Sequence, residues 1–168
     1  MAFPAAMFIR KYSYKAGVML GLGLYAFGAF LFFPAMKMGN YYPFLIAYFI
    51  LTCGLSFLET SCNPYILSMG TEETATRRLN LAQAFNPIGS LLGMFVAMNF
   101  IQNRLHPMDT AERAQLSLSE FEAIRDADLQ TLTAPYLIIG VVIVVMLIVI
   151  RISKMPLNKD QSHKIDFV

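Results

Sequence analysis

The chain alternates long apolar runs with short polar segments, and the lengths of the runs indicate what they form. A bilayer core of about 30 Å is crossed by roughly 20 helical residues, so an apolar run of that length predicts a transmembrane helix. Four runs qualify, at residues 16–36, 41–68, 79–101 and 134–153. The pattern therefore predicts an all-α polytopic membrane protein with four complete transmembrane helices.

The polar segment between the third and fourth runs, residues 102–133, has helix signals of its own. Ser117 and Glu120 have the spacing of a capping box just ahead of apolar residues, which is typical of a short surface helix, although the alternative, a solvated spacer, is favoured for this segment. Thr133 is the predicted N-cap of the fourth span, and Pro135 falls in its first turn. We therefore expect the fourth span to begin as a new helix.

Composition supports the assignment to a membrane. Of the 168 residues, 57% are hydrophobic and 14% are charged, whereas a soluble domain is about 45 to 50% apolar and about 25% charged. The net charge of +2 is too small to indicate a nucleic-acid partner. The sequence also contains no glycine-rich phosphate loop.

Cysteine and histidine give no sign of a metal site or a cofactor. Cys53 and Cys62 are nine residues apart, which places them on opposite sides of one helix at about 100° per residue. Neither a disulfide nor a shared metal is therefore expected. His106 and His163 both lie in polar stretches. We predict neither a metal nor an organic cofactor.

The basic residues predict the orientation of the spans, because cytosolic loops carry an excess of lysine and arginine. The segment 102–133 has three arginines against six acidic residues, a net charge of −3, and is predicted to lie outside. Both chain ends, including the tail 154–168, are then cytosolic. The basic residues assigned to the cytosolic side are Arg10, Lys11, Lys15, Arg77, Arg78, Arg151, Lys154, Lys159 and Lys164.

The first residues are apolar but too few to cross a bilayer. Residues 1–9 would span about 14 Å as a helix. Their positive charges follow the apolar stretch, whereas a secretory signal peptide has them in front. We expect these residues to be the last turns of a preceding transmembrane helix that enters a basic cytosolic loop.

Glu59 is the one acidic residue inside the predicted spans. An ionisable residue in the membrane is costly enough to suggest a functional site. Thr52, Ser56 and Asn63 share its helical stripe, and we expect this stripe to face the bundle interior. A carboxyl that is neutral when dry and charged when wet can carry a proton. The alternative is a permanently protonated structural glutamate bonded to a neighbouring helix.

The third predicted span has a face of polar and small residues. Side-chain amides on it can pair with vicinal sugar hydroxyls, or they can bond helices to one another, and the spacing leaves both open. Glycines four residues apart, Gly17 with Gly21 and Gly89 with Gly93, predict close helix packing. The residues that share a sector about 80° wide are Gln83, Asn86, Ser90, Gly93 and Ala97.

Two stretches carry a resemblance to a known family. They read L-E-T-S-C-N-P-Y over residues 58–65 and R-R-L-N-L-A-Q-A-F-N over residues 77–86. Together with S-Y-K-A-G at 13–17 and T-A-P-Y at 133–136, they resemble the fucose, galactose and glucose:proton symporters of the major facilitator superfamily. The resemblance covers nearly the whole chain. It implies a fragment of a twelve-helix major facilitator fold, from the end of helix 2 through helix 6 of the N-terminal half.

The resemblance implies roles for individual polar residues. Glu59 matches the family's cavity glutamate of helix 4, which is implicated in sugar binding and proton coupling. Gln83 and Asn86 match the polar positions of helix 5 that line the sugar cavity. Further possible cavity-lining residues are Thr52, Ser56, Asn63, Asn80 and Ser90.

The basic loop after the first apolar residues aligns with the superfamily's cytosolic gating motif between helices 2 and 3. Ala6 and Ser13 stand where the motif has glycines, and Arg10 stands where it has an acid. The basic character of Lys11 and Lys15 is what carries over. The resemblance thus implies a cytosolic gating loop at Arg10, Lys11 and Lys15.

The implied function is sugar:proton symport across the bacterial inner membrane, with L-fucose as the leading substrate and galactose or glucose next. Protons are the implied coupling ion. The implied partners are a monosaccharide, the lipid bilayer and the missing remainder of the transporter. Alternating access requires two halves that rock about a midplane site, so this chain by itself is expected not to transport.

Two other classes of protein account for less of the sequence. A non-transporting four-helix membrane scaffold or assembly protein is the alternative, and it would explain the spans and the glycine spacings. It would not explain a polar stripe on each of two adjacent helices. An enzyme is not expected, because no histidine or second carboxylate accompanies Glu59 within the spans.

Overall fold

The computed structural model describes residues 2–153, and this part of the chain is helical over most of its length. The helices are α1 (Ala2–Lys11), α2 (Tyr14–Met38), α3 (Tyr41–Ser68), α4 (Glu72–Gln83), α5 (Phe85–Val96), the π-helical turn Ala97–Ile101, the 3-10 turn Gln102–Arg104, α6 (Thr110–Arg113) and α7 (Leu118–Ile152).

Helices α4 and α5 and the two turns that follow them form one long membrane-crossing unit. The stretch Glu72–Arg104 is a 33-residue candidate span, called the third span below. Ala84 interrupts it between α4 and α5. Pro87 accounts for the interruption, because proline has no backbone N–H to donate to the carbonyl of Gln83, four residues earlier.

Four helices in the described part of the chain are long and apolar enough to cross a membrane, namely α2, α3, the third span and α7. This confirms the four transmembrane helices predicted from the apolar runs. Helix α1 has ten residues and packs against α3, where the rings of Phe8 and Phe57 lie 6.1 Å apart. Ile9 joins Tyr14 and Tyr65 in a small buried cluster.

Helices α2 and α3 approach each other at glycines, which allow their backbones to come close. A Cβ atom at Gly54 would lie 2.8 Å from the carbonyl oxygen of Gly21, and one at Gly21 would lie 3.1 Å from that of Gly54. A Cβ at Gly17 would lie 2.5 Å from the Ser61 hydroxyl oxygen, which donates to the carbonyl of Phe57. The predicted packing role of Gly17 and Gly21 is therefore confirmed.

Helix α7 packs against the other side of α2. The rings of Phe32 and Tyr136 stack with centroids 4.0 Å apart and planes inclined by 3°. A Cβ at Gly140 would lie 3.3 Å from the Cβ of Ala29. Helix α2 is thus the centre of a three-helix cluster formed with α3 and α7, called the packed cluster below.

The start of α7 differs from the sequence prediction. The capping box is present: the Ser117 hydroxyl accepts from the N–H of Glu120, and the Glu120 carboxylate accepts from that of Ser117. The helix then continues for 35 residues, so the predicted N-cap at Thr133 and the separate short helix are both wrong. No glycine or proline lies between Phe121 and Thr133, and Pro135 removes only one backbone hydrogen bond from a helix already formed.

The third span differs from the packed cluster in having no buried residue. Its main contact with the rest of the described chain is at its start, where α4 meets the end of α3. A Cβ at Gly89 or at Gly93 would have no atom of the described residues within 4 Å apart from its own helix backbone. The packing role predicted for this second glycine pair therefore stays a prediction.

Candidate functional site

The polar stripe of α3 lies on the opposite side of that helix from its contact with α2. Leu51 and Gly54 are buried on the α2 side, and at about 100° per residue the stripe is centred about 150° away. Glu59 is exposed, whereas Ser56 and Asn63 are half-buried. The sequence predicts that this stripe faces the interior of a helix bundle. In the structure the stripe faces away from α2, so the interface with α2 is not that interior.

Most of the stripe keeps its hydrogen-bonding capacity. The Thr52 hydroxyl lies 3.0 Å from the carbonyl oxygen of Tyr48 and 2.9 Å from that of Phe49, so its proton is used within its own helix. Within residues 2–153, the side chains of Ser56, Glu59 and Asn63 form neither a hydrogen bond nor an ion pair. One carboxyl, one amide and one hydroxyl thus remain available on one helical face.

The third span offers a second set of available polar groups. The side chains of Gln83 and Asn86 are exposed, and neither is hydrogen-bonded to another described residue. Asn80 is also exposed, and the Ser90 hydroxyl donates to the carbonyl of Asn86 at 3.1 Å. Within the described chain, no hydrogen bond joins Glu59 to these amides. The two polar faces therefore lie on spans that follow one another in the chain, without a direct hydrogen bond between them.

The predicted gating loop divides into exposed and engaged residues. Arg10 and Lys11 are exposed. The Lys15 ammonium donates to the carbonyl oxygen of Ser153 at 2.8 Å, and Ser13 caps α2 by accepting from the N–H of Ala16. Lys15 therefore satisfies a carbonyl at the end of α7, which is the position in a helix where a cation is favoured. The sequence did not indicate this contact.

A second polar network that the sequence did not reveal lies at the opposite end of the helices. The Asp128 side chain accepts from the backbone N–H of His106 at 3.1 Å and from Arg113 at 2.7 Å. The Nδ1 atom of His106 lies 3.0 Å from the same carboxylate. These bonds hold the segment after the third span against the polar first half of α7. An acid just before the apolar Leu129 was the only sign of it in the sequence.

The charge state of Asp128 follows from this environment, which lies before the apolar part of α7. Burial raises the pKa of the Asp128 carboxyl, but hydrogen bonds from His106 and the hydrogen bond and charge of Arg113 outweigh it, so the pKa is lowered overall. Asp128 is 7% exposed. An ionised, nearly buried carboxylate is therefore stabilised by partners that belong to the connecting segment.

Metal chemistry has no site among the described residues. No group of three or more histidine, cysteine, aspartate or glutamate side chains is placed to hold an ion there. Cys53 and Cys62 are free thiols. The two polar faces contain amide and hydroxyl groups, which form hydrogen bonds without carrying a charge. They also contain one carboxyl, that of Glu59, which is the only group on them able to exchange a proton.

Comparison with known proteins places these helices in context. The chain is 49% identical to the L-fucose-proton symporter of Haemophilus influenzae and 34% identical to that of Escherichia coli, over 99% and 95% of its length. It is 33% identical, over 93% of its length, to a glucose/galactose transporter of Brucella abortus. No family model matches the chain.

Solved structures agree with the sequence comparison. The fold matches a crystal structure of the Escherichia coli fucose:proton symporter with a TM-score of 0.85 and 32% identity, covering 96% of this chain and 40% of that one. A second crystal structure of a major facilitator superfamily transporter, in the outward conformation, matches with a TM-score of 0.84. The chain spans about 40% of the length of the first relatives it matches. The all-α fold with four spans is thus part of a major facilitator fold, and these relatives are transporters rather than enzymes.

Proposed function

We propose that the chain belongs to the family of fucose, galactose and glucose:proton symporters of the major facilitator superfamily and forms part of a sugar:proton symporter. L-fucose is the leading substrate. The relative of Haemophilus influenzae named for L-fucose is 49% identical to the chain, whereas that of Brucella abortus named for glucose and galactose is 33% identical. Galactose and glucose are the next candidates.

The observation that carries the proposal is the exposed carboxyl of Glu59 in a stripe that α2 leaves uncovered. A lone carboxyl in a transmembrane helix carries a free-energy cost. Its presence there therefore indicates a function. In the proposed mechanism it takes up a proton from one side and releases it to the other as the cavity changes its exposure to water. No metal or organic cofactor has a part in this mechanism, and the proton is the coupling ion.

Sugar recognition is assigned to the amides of the third span. Gln83 and Asn86 each present a donor and an acceptor without a partner among the described residues, which suits adjacent hydroxyl groups of a pyranose. Asn80 and Ser90 flank them on the same span, and Asn63 on α3 is a further candidate for sugar contact. Thr52 and Ser56 extend the α3 side of the proposed cavity.

The surroundings of the site follow from the same proposal. In the proposed arrangement the protein lies in the bacterial inner membrane, with Arg10, Lys11 and Lys15 in a cytosolic gating loop and the segment 102–133 outside. The chain alone is proposed not to transport, because alternating access needs a second half of the carrier around the midplane site. The remainder of the transporter is therefore its essential partner.

A chimera provides the functional test. The chain would replace the matching stretch of the Haemophilus influenzae L-fucose-proton symporter, with which it is 49% identical, and uptake of labelled L-fucose would be measured in cells. The intact chimera should accumulate L-fucose when a proton gradient is present. Glu59→Gln should abolish accumulation against a gradient, because an amide cannot carry a proton.

A matched control separates the site from a general effect of lost charge. Glu122→Gln makes the same change at an exposed acid outside the apolar segments and should leave accumulation unchanged. Normal accumulation by the Glu59→Gln chimera would contradict the proposed coupling role. Failure of the unmodified chimera to take up L-fucose, with uptake of galactose or glucose, would replace the leading substrate by one of these sugars.

A further inference from the structure

The connection between α3 and the third span is organised around one arginine. Helix α3 ends at Ser68, and α4 begins at Glu72, so the two spans are joined by a very short turn. Arg78 lies in the second turn of α4 and reaches back to the end of α3. In the sequence alone, this residue stood out only as one of the positive charges that predict the orientation.

The guanidinium of Arg78 bonds to acceptors on both sides of the turn. Its Nε donates to the carbonyl of Ile66 at 3.3 Å, and one terminal nitrogen donates to that of Leu67 at 3.1 Å. The other terminal nitrogen donates to the carbonyl of Thr71 at 3.3 Å and to the hydroxyl of Thr74. The last carbonyls of a helix lack intrahelical partners, and a cation is favoured beside them. Arg78 thus caps α3 while it belongs to α4.

Gly70 provides the space in which the guanidinium lies. A Cβ atom at this position would be 2.9 Å from a terminal nitrogen of Arg78 and 3.2 Å from its Cζ. Any larger residue would have to displace the guanidinium from the turn. Arg78, Gly70 and the carbonyls of Ile66, Leu67 and Thr71 are called the hairpin clamp below.

The third span has little else to fix its direction. None of its residues is buried, and its main contact with the rest of the described chain is at this hairpin. At its far end it is connected to the segment that Asp128 holds against α7, and between these two ends none of its residues is buried against another described helix. The angle at which it leaves α3 therefore depends on the turn that the clamp holds.

We propose that Arg78 is a positioning residue, whose clamp sets the angle between α3 and the third span and hence the separation of the polar stripe from the amides of Gln83 and Asn86. The angle itself is a property of this chain, whereas the consequence for sugar binding rests on the proposed function. A fork of five donors is required, because one group must reach four acceptors in different directions. Lysine would keep the charge but not the geometry.

The clamp can be tested by measuring a distance far from the hairpin. With Cys53 and Cys62 replaced by alanine, spin labels at Tyr42→Cys and Phe95→Cys would report the separation of the two spans by double electron–electron resonance in lipid nanodiscs. Both label sites are exposed. The unmodified chain should give one narrow distance distribution, and Arg78→Lys should broaden or shift it.

Two further variants separate the clamp from a general effect of replacing an arginine. Arg77→Lys is the matched control, because Arg77 is exposed and makes no hydrogen bond with another described residue, and it should leave the distribution narrow. Gly70→Ala keeps both arginines and should broaden the distribution as Arg78→Lys does. A narrow distribution in Arg78→Lys, or equal broadening in Arg77→Lys, would overturn the clamp. Circular dichroism would check that helix content is unchanged.

The link to sugar binding is tested separately in the chimera. Arg78→Lys should raise the KM for L-fucose several-fold, whereas Arg77→Lys should not change it. An unchanged KM together with a broadened distance distribution would overturn the positioning role. Since the distance measurement involves no transport, its failure is distinguishable from failure of the proposed symport, which the Glu59→Gln chimera tests.

Discussion

The packed cluster and the third span are both apolar enough to cross a membrane, yet their surroundings are opposite. In the most apolar window of α2, 44% of residues are buried, whereas in that of the third span none is. Both contain glycines four residues apart. A Cβ atom at Gly21 would lie 3.0 Å from the backbone nitrogen of Leu58 in α3, whereas one at Gly93 would meet no described atom within 4 Å apart from its own helix backbone. Apolar composition and the spacing of small residues thus identify a membrane helix. They do not show whether that helix packs against another helix of this chain.

Helix α3 takes part in both regions, which explains how a site can be built on it. One side packs on α2 through Leu51 and Gly54, and the other carries Glu59. Contacts on the packed side hold α3 against α2, so the polar side faces away from α2. The third span contacts the rest of the described chain mainly at its hairpin with α3. The position of its polar face therefore depends on a few contacts at that hairpin. The predictions below test this contrast from the largest expected effect to the smallest.

The largest effect is expected where two backbones touch. Gly54→Leu would force a side chain into the backbone of α2 and should lower the free energy of unfolding by about 3 kcal/mol or more. Gly89→Leu is the matched change in the third span and should leave stability nearly unchanged. Unfolding in detergent by titration with dodecyl sulfate would measure both. Equal destabilisation by the two variants would mean that the third span is packed as tightly as α3.

A smaller loss is expected at the aromatic stack between α2 and α7. Tyr136→Ala removes a ring that lies 4.0 Å from that of Phe32 and should lower the free energy of unfolding by about 2 kcal/mol. Phe95→Ala removes a ring of the third span that is 60% exposed and should cost under about 0.5 kcal/mol. The same detergent titration measures the difference. A larger loss of stability in Phe95→Ala than in Tyr136→Ala would contradict the distinction between the packed cluster and the third span.

The tether at the far end of the third span should respond to acid. Because the pKa of Asp128 is lowered in the folded chain, docking of the connecting segment is fully present above the usual aspartate pKa of about 3.9. It should weaken as the pH falls below that value. The chain has no tryptophan, so Met108→Trp would give a single fluorescent reporter of the segment.

A substitution of the carboxyl makes this test specific. Asp128→Asn should weaken docking by about 1 to 2 kcal/mol at neutral pH, because Arg113 loses its charged partner, and it should remove most of the change in fluorescence that occurs as the pH falls below about 3.9. The packed cluster should keep its stability in this variant. A full acid response in Asp128→Asn would assign the titration to another group.

The smallest effect concerns a hydroxyl buried at the packed cluster. Thr133 is 1% exposed and its hydroxyl is buried without a hydrogen-bond partner among the described residues. Thr133→Val keeps the shape and removes the unsatisfied group, so it should stabilise the fold by up to about 1 kcal/mol. Ser61→Ala is the contrasting change and should destabilise it, since that hydroxyl donates to Phe57 at 2.6 Å. A loss of stability in Thr133→Val would indicate a partner for the hydroxyl.

The sequence was sufficient for features that depend on local pattern. The apolar runs predicted the four spans because crossing a bilayer demands length and apolar composition together. The capping box at Ser117 was predicted because it needs only two residues three positions apart. The polar stripe through Glu59 followed from helical periodicity alone. Its surroundings did not, since they depend on which neighbouring helix covers which side.

Other features depend on contacts between distant positions and could not be predicted. The N-cap at Thr133 failed because a short run of polar helix formers can continue a helix as readily as interrupt it, and the sequence does not say which. The position of Lys15 in the predicted gating loop gave no sign that its ammonium would donate to the carbonyl of Ser153, more than a hundred positions away. Arg78 and Arg77 are identical in sequence terms, and only the turn around Gly70 distinguishes them.

The concentration dependence of L-fucose uptake by the chimera tests the central claim most directly, namely that the unpacked third span presents a sugar-binding face. Asn86→Ala should raise the KM several-fold without loss of membrane insertion. Asn99→Ala should leave it unchanged, because Asn99 lies on the same span but about 160° around the helix from Gln83 and its amide donates to the carbonyl of Phe95. An unchanged KM in Asn86→Ala would contradict the claim and reassign that amide to bonding between helices.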